Sequence, residues 1–382
     1  MWYNQIMIKL INVCSLSNAL EYAINFCASN EEKIEIVVPD KLSLFMEKFL
    51  FEKLNIESSF NISVSTLNRF AKRNLDVDKS KMITSTGSVL LIHKILNENL
   101  QDFNVLKSRA YSFSYAEEIF KTITQLKASK INFEEMKLFK SKNIQLQNKI
   151  LDLAKIYELY EKNKAGLLDS SDMFLLSAFS VANGRENSKI LFVGFDDFTA
   201  IEYTIIERLV QESEVSVINY FSNNPNKNIY SDDVYYSLKK VAYTNELGFK
   251  VEDFVTENND VKDFLTRNLF GLNKETFVVD KNEIRLFSSN HINSEIEFVA
   301  RDIREKILSG HRFSNFGVAV FDLESHIKKI KEIFSKYEIN CYIDTDLTLN
   351  KSIFYKFLCS VFKYNLEGHP LFSIIDIRNS PC

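Results

Sequence analysis

The sequence predicts an α/β protein: a parallel-sheet domain with a helical insertion, followed by the start of a second α/β domain. Three observations carry this expectation. Short runs rich in Ile and Val alternate with amphipathic stretches of helix length at both ends of the chain, the pattern of strand–helix–strand units in which helices cover a parallel sheet. Between about residues 85 and 180 the alternation stops, and apolar residues recur at three- and four-residue steps. Only nine Gly and four Pro interrupt 382 residues, which favours long regular elements.

Taken in order, residues 8–13 (IKLINV) read as a buried strand, and 17–27 as a helix capped by Ser17 or Asn18. Residues 34–38 (IEIVV) form a second strand, stopped by Pro39 and Asp40, and 42–54 an amphipathic helix. Residues 60–64 form a third strand, followed by a basic helix over 67–75. In the insertion, Ile119, Ile123 and Leu126 share one helix face. Leu146, Ile150, Leu153, Tyr157 and Tyr160 share another. Both stripes read as core. Strand character returns at 190–193 and 215–218, and the polar stretch 222–233 reads as a loop. Further strands are expected at 284–287, 316–321 and 341–343, separated by helices over 295–308 and 324–336. The expected organisation is a first part of the α/β domain over 1–84 and a helical insertion over 85–180. The remainder of that domain follows over 181–280, and a second domain begins over 281–382.

Composition narrows the function classes. Hydrophobic residues make up 46% and charged residues 26%, enough for packed cores and against a disordered chain. No apolar run approaches the roughly 20 residues of a membrane helix, and the first residues carry no secretory leader. The five cysteines, Cys14, Cys27, Cys341, Cys359 and Cys382, include no C-x-x-C pair. They read as reduced thiols of a cytoplasmic protein, without zinc or a disulfide framework. The five histidines form no metal-binding pattern. A net charge of -4 does not support a strongly basic nucleic-acid binder, and it favours an interaction scaffold as the alternative.

Three places could carry chemistry. A phosphate-binding loop belongs where the first strand enters its helix. There the chain has Cys14, Ser15, Leu16, Ser17 and Asn18, with no glycine and no lysine, and no Gly in the sequence is followed by Lys. After the strand at 190–193, Gly194 and Phe195 stand where a nucleotide hydrolase would hold acids for Mg²⁺. Asp196 and Asp197 follow and read equally well as loop or capping residues. The third place is Asn68-Arg69-Phe70-Ala71-Lys72-Arg73, a basic segment with an aromatic that suits a nucleic-acid backbone or a solvated helix face. Lys41 and Ser43 are weaker candidates for the same role. No residue is assigned as catalytic.

The segments together resemble a family. Residues 36–47 (IVVPDKLSLFME) are similar to the VPDQ-x-[ST]-F-x-x-E stretch of AddB, one of the two subunits of the bacterial ATP-dependent helicase/deoxyribonuclease, also called RexB. Residues 64–71 (VSTLNRFA), 157–172 (YELYEKNKAGLLDSSD), 193–199 (VGFDDFT), 316–324 (FGVAVFDLE) and 339–344 (INCYID) resemble its following motifs in the same order. The resemblance implies a P-loop-helicase-like, UvrD-like superfamily 1 fold with the start of a second RecA-like domain. It also implies a part in double-strand-break repair and recombination, with single-stranded or forked DNA and an AddA-like UvrD-type subunit as partners. Cys14, Ser15, Ser17, Gly194 and Phe321 occupy the family's nucleotide positions and lack its chemistry, so the motor is expected to be inactive. By position, Lys41, Ser43, Arg69 and Lys72 match strand-contacting residues, with Arg73 beside them. The family's nuclease domain, with its iron–sulfur cluster and Mg²⁺ chemistry, is C-terminal to the matched region. This sequence is expected to be an N-terminal portion with no cofactor of its own.

Overall fold

A computed structural model describes residues 7–13, 15–30, 32–73, 81–106, 112–181, 188–220, 232–254, 261–268, 284–345 and 352–366, with 75, 78, 276–278 and 378. Cys14, Cys382 and most of the expected loop at 222–233 lie outside the described residues. The chain divides into two compact units, Met1–Val279 and Asp280–Cys382.

In the first unit the order is β1 (Met7–Val13), α1 (Leu16–Ala28), β2 (Ile34–Val38), α2 (Ser43–Leu54), β3 (Ile62–Thr66) and α3 (Leu67–Lys72). The helical stretch follows as α4 (Ser85–Glu98), α5 (Phe113–Ala128), α6 (Phe133–Leu138), α7 (Ile144–Asn163) and α8 (Ser170–Ser180). Then come β4 (Lys189–Phe192), α9 (Ala200–Val210), β5 (Glu214–Tyr220), α10 (Asp232–Thr244), β6 (Gly248–Asp253) and α11 (Val261–Asn268). The six strands form one sheet, β3-β2-β4-β5-β1-β6, and every pairing is parallel.

A parallel sheet is covered on both faces, which is why its strands are apolar runs and not alternating ones. All five residues of β2 are buried. Successive side chains still point to opposite faces. Ile190 and Phe192 join Leu10, Val37 and Val217 beneath α3, α8 and α9. Leu191 and Val193 join Ile36, Val38 and Ile218 beneath α1 and α2. Each fully buried side chain of this kind contributes about 1.5–3 kcal/mol. The one charge inside β2, Glu35, is 1% exposed and is paired with Arg73 at 3.0 Å and Lys33 at 3.2 Å.

The insertion has its own core, built on Ile92, Leu96, Ile119, Ile123, Ile156 and Tyr160. Its entrance and exit are pinned together: Leu168 N donates to Lys81 O (2.7 Å), and Ile83 N donates to Leu168 O (3.0 Å). Buried Asp152 accepts from the backbone N–H groups of Asn104 (2.9 Å), Val105 (2.7 Å) and Leu106 (3.1 Å), which fixes the loop after α4.

The second unit holds α12 (Ile292–Leu308), α13 (Leu323–Lys336) and α14 (Ile353–Leu366). The first two helices pack through Ala300, Ile303, Ile330 and Phe334. The strands expected at 284–287, 316–321 and 341–343 are not formed among the described residues. A strand exists by its hydrogen-bonded ladder, and an apolar extended sequence supplies only one side of it. Three other expectations change. The cap of α1 is Ser15, not Ser17 or Asn18, because Ser15 has extended backbone and its Oγ accepts from Asn18 N. The third strand runs directly into α3, with Thr66 as the cap, and so starts and ends later than expected. Strand β6 has no counterpart among the expected strands. It is an edge strand paired only with β1, and its exposed side chains include Lys250 and Asp253.

Candidate functional site

A groove of about 370 Å³ opens at the carboxyl ends of β2, β3 and β4, where ligands of open parallel sheets bind. Its floor and near wall are Val38, Pro39, Leu67, Asn68, Lys72 and Phe195. Thr124 and Ala128 of α5, with Ser170, Ser171 and Phe174 of α8, form the far wall. The groove therefore lies between the sheet and the insertion. Asn68 and Lys72 both line it because residues four apart share a helix face.

Lys72 is the chemically distinctive group. It is partly buried, and burial pushes its pKa below the ordinary lysine value. It makes no ion pair among the described residues. Phe195 stacks on Phe198 with ring centroids 5.0 Å apart, which holds its ring in place. Lys72, a carboxamide, two serine hydroxyls and two aromatic rings offer phosphate and base contacts, and the carboxylates of Asp40 and Glu202 line the same groove.

The other expected contact residues separate into two groups. Lys41 sits in a short 3₁₀ turn (Asp40–Leu42) and is exposed. Ser43 begins α2, and its Oγ donates to Asp40 O at 3.2 Å. Arg69 is exposed on α3. Arg73 is engaged elsewhere: Nη1 lies 3.0 Å from Glu35 Oε2, so its charge neutralises a buried carboxylate. Asn68 and Phe195 fall within two segments that the sequence singles out, whereas the α8 serines carry no sequence signal that marks them as groove residues. The Asp169-Ser170-Ser171-Asp172 cap signature is visible, but which element α8 faces is not.

Of the turn after β1, residues 15–18 are described. Ser15 Oγ accepts from Asn18 N (3.2 Å) and donates to Asn18 Oδ1 (2.6 Å), so α1 is capped by its own side chain. Ser17 is exposed on the first turn. The neighbouring strand ends are acidic and amide-rich. Asn12 Nδ2 donates to Asp253 Oδ1 (2.8 Å) and Asn219 Nδ2 to Asn12 Oδ1 (3.2 Å). Burial and the charge of Asp196 raise Tyr220 to about 12.

Gly194 is explained by backbone geometry. Its φ is +84°, and a Cβ there would lie 2.6 Å from Leu42 Cδ1 and 3.4 Å from Pro39 Cδ. Only glycine takes that turn without strain, and the turn delivers Phe195 into the groove. Strands β2 and β4 are neighbours in the sheet, which brings Gly194 at the end of one beside Pro39 at the end of the other. Phe321 belongs to the second unit and is 98% exposed.

Behind the far wall lies a charge cluster. Lys127 Nζ is 2.6 Å from Asp169, 2.8 Å from Asp172 and 2.7 Å from Glu161. Lys164 Nζ is 2.5 Å from Asp172 and 2.7 Å from Glu161. Tyr160 OH donates to Asp169 at 3.0 Å. Burial opposes ionisation of Asp169, but the hydrogen bond and charge of Lys127 prevail and hold its pKa at about 2. The three carboxylates lie within 4.8 Å of one another, and two ammonium groups offset two of their three charges. The cluster is a joint between α5, α7 and the N-terminus of α8.

The covered all-parallel sheet, the helical insertion within it and the groove between them define a helicase-like α/β protein. No helix among the described residues is long and apolar enough to cross a membrane. The model of the family described as ADDB, N-terminal, matches residues 21–263, and the chain belongs to that family. It is 24% identical over 365 residues to the B subunit of the ATP-dependent helicase/deoxyribonuclease from Listeria welshimeri, covering 89% of this chain and 31% of that protein. The protein of the same name from Caldanaerobacter subterraneus is 25% identical over 358 residues, covering 87% and 31%. That of Acetivibrio thermocellus is 26% identical over 337 residues, covering 81% and 29%. The chain thus spans about 31% of the length of the first of these relatives.

Proposed function

We propose that this chain is a non-hydrolysing, helicase-like DNA-binding part of an AddAB-type helicase–nuclease. It guides single-stranded or forked DNA during double-strand-break processing in the cytoplasm, beside an AddA-like subunit that hydrolyses ATP. The observation that carries this reading is Lys72: a partly buried cation without an ion pair among the described residues, lining a groove at the strand ends. The self-capped turn at Ser15 and the absence of any Gly-Lys step support a motor fold without motor chemistry. The relatives' name supports the helicase–nuclease context. The iron–sulfur cluster and Mg²⁺ chemistry implied by the resemblance fall outside this region, and no residue here is assigned to them.

The test is binding of single-stranded and forked DNA by fluorescence anisotropy over a salt series, with ATP turnover measured in parallel. Salt-dependent binding without turnover is expected. No binding at low salt, alone or with the AddA-like subunit, would leave the scaffold reading. Measurable ATP turnover would overturn the assignment of the Ser15 turn.

A further inference from the structure

We propose that the turn between α6 and α7 is a docking knob for the AddA-like subunit, fitting an apolar socket rimmed by carboxylates. The existence of that subunit rests on the reading above. The place of contact rests on the turn itself.

The turn displays apolar side chains that the insertion's core does not use. Leu138 is 78% exposed and Ile144 74%, with Phe139 and Leu146 beside them also exposed. A contiguous apolar patch held out to solvent marks an interaction surface when it is rigid and rimmed by polar groups. This one is rigid. Gln147 Nε2 donates to Phe139 O (2.6 Å), and Gln147 Oε1 accepts from Ser141 N (2.7 Å). Ser141 Oγ accepts from Asn143 N (3.1 Å), and Asn143 caps α7 through Gln145 N and Leu146 N. The turn's polar groups bind one another, which fixes its conformation before any partner arrives and lowers the ordering cost of association.

Charge identifies the partner's chemistry. From Met136 to Leu151 the sequence has four lysines and no Asp or Glu, in a chain of net charge -4. Lys137 is paired within the insertion, with Glu134 (3.1 Å) and Glu158 (2.9 Å). Lys140 and Lys142 make no ion pair among the described residues. Two unpaired cations around an apolar tip call for carboxylates on the other side. Three of the four apolar side chains are aliphatic, so they offer no flat face on which bases would stack. A protein surface fits better than a nucleic acid.

The experiment uses the full chain and the AddA-like subunit from the same genome, with association measured by calorimetry and biolayer kinetics. Leu138→Asp with Ile144→Asp is expected to weaken association at least about tenfold. Lys140→Glu with Lys142→Glu is expected to slow association in a salt-dependent way. Gln147→Ala, which leaves every exposed side chain in place, is expected to weaken it by a few fold. All three sets change exposed or turn positions, so an unaltered melting temperature and unaltered single-stranded DNA affinity are expected alongside. Association that ignores all three sets overturns the inference. So does loss of DNA affinity in the Lys variant with assembly intact, or capture of the wild-type chain, but not the Asp variant, by phosphatidylserine vesicles. A wild-type chain that binds no AddA-like subunit overturns this inference and the partner assignment above together, whereas indifference to the turn overturns this one alone.

Discussion

Lys127 of α5 reaches Asp169 at the N-cap of α8, with Nζ 2.6 Å from Oδ2. Asp169 also accepts from the N–H groups of Ser171 (2.9 Å) and Asp172 (3.0 Å). One carboxylate thus caps the helix that walls the groove and ties it to the neighbouring helix. Asp169 is 3% exposed and Lys127 10% exposed at the side chain, so breaking the pair costs far more than the intact pair contributes. Lys127→Met is expected to destabilise the protein by about 3–5 kcal/mol, because it strands buried charge. Urea unfolding of both chains measures it.

The same carboxylate sets an acid limit. Its folded pKa of about 2 lies below the roughly 3.9 of an unfolded aspartate. Its contribution is therefore complete above about pH 4 and is lost as pH falls toward about 2, on the order of 2–3 kcal/mol. Asp169→Asn removes this part of the acid dependence and lowers stability at neutral pH. A pH series of denaturant midpoints separates the two chains.

Gly194→Ala combines a left-handed backbone with a close approach. The φ of +84° and the 2.6 Å approach to Leu42 are expected to cost about 1–3 kcal/mol. Leu42→Ala in the same chain relieves the steric part and leaves the backbone part. Thermal unfolding of the single and double variants gives the split.

On the DNA-binding function proposed above, Lys72 is expected to set how the groove responds to pH. Its pKa is already lowered by burial, and a bound phosphate would raise it. Affinity for single-stranded DNA is therefore expected to fall as pH rises through the free protein's Lys72 pKa, below the ordinary lysine range. Lys72→Arg keeps the charge and abolishes that fall. Lys72→Ala is expected to reduce the slope of log K against log salt by about 1. Anisotropy titrations over pH and salt check both.

Asp152 is expected to anchor the loop after α4. Asp152→Ala leaves three backbone N–H groups without an acceptor, at a cost of about 3 kcal/mol. Hydrogen exchange at Asn104, Val105 and Leu106 should rise together, with the groove's DNA affinity unchanged.

Much of the fold is legible along the chain. The runs IEIVV and KILF form strands because both faces of a parallel sheet are dry, and a dry strand is a continuous apolar run. The stripe Ile150, Leu153, Tyr157, Tyr160 lies on one face of α7 because the helix repeats every 3.6 residues, whereas Leu146, expected in the same core stripe, lies on the exposed first turn of the helix and is 43% exposed. The missing Gly-Lys step and the Ser-rich turn are also facts of sequence, and the proposal of a non-hydrolysing motor rests on them. These features are local: each depends on residues within one or two turns.

What the tertiary structure decided is non-local. Arg73 belongs to a basic helix by sequence, and its role changes because β2 brings the buried carboxylate of Glu35 within 3.0 Å. Gly194 is singled out by sequence as a nucleotide position, and the tertiary structure adds a separate reason for glycine there, the left-handed turn packed against Pro39 and Leu42. The edge strand β6 has too many charged side chains to be recognised alone. It is held by its ladder with β1 and by Asn12 at Asp253. The segments at 316–321 and 341–343 have strand-like sequences and no paired neighbour among the described residues. Pairing, sheet order and charge compensation depend on which distant segments meet, and short-range pattern carries no record of that.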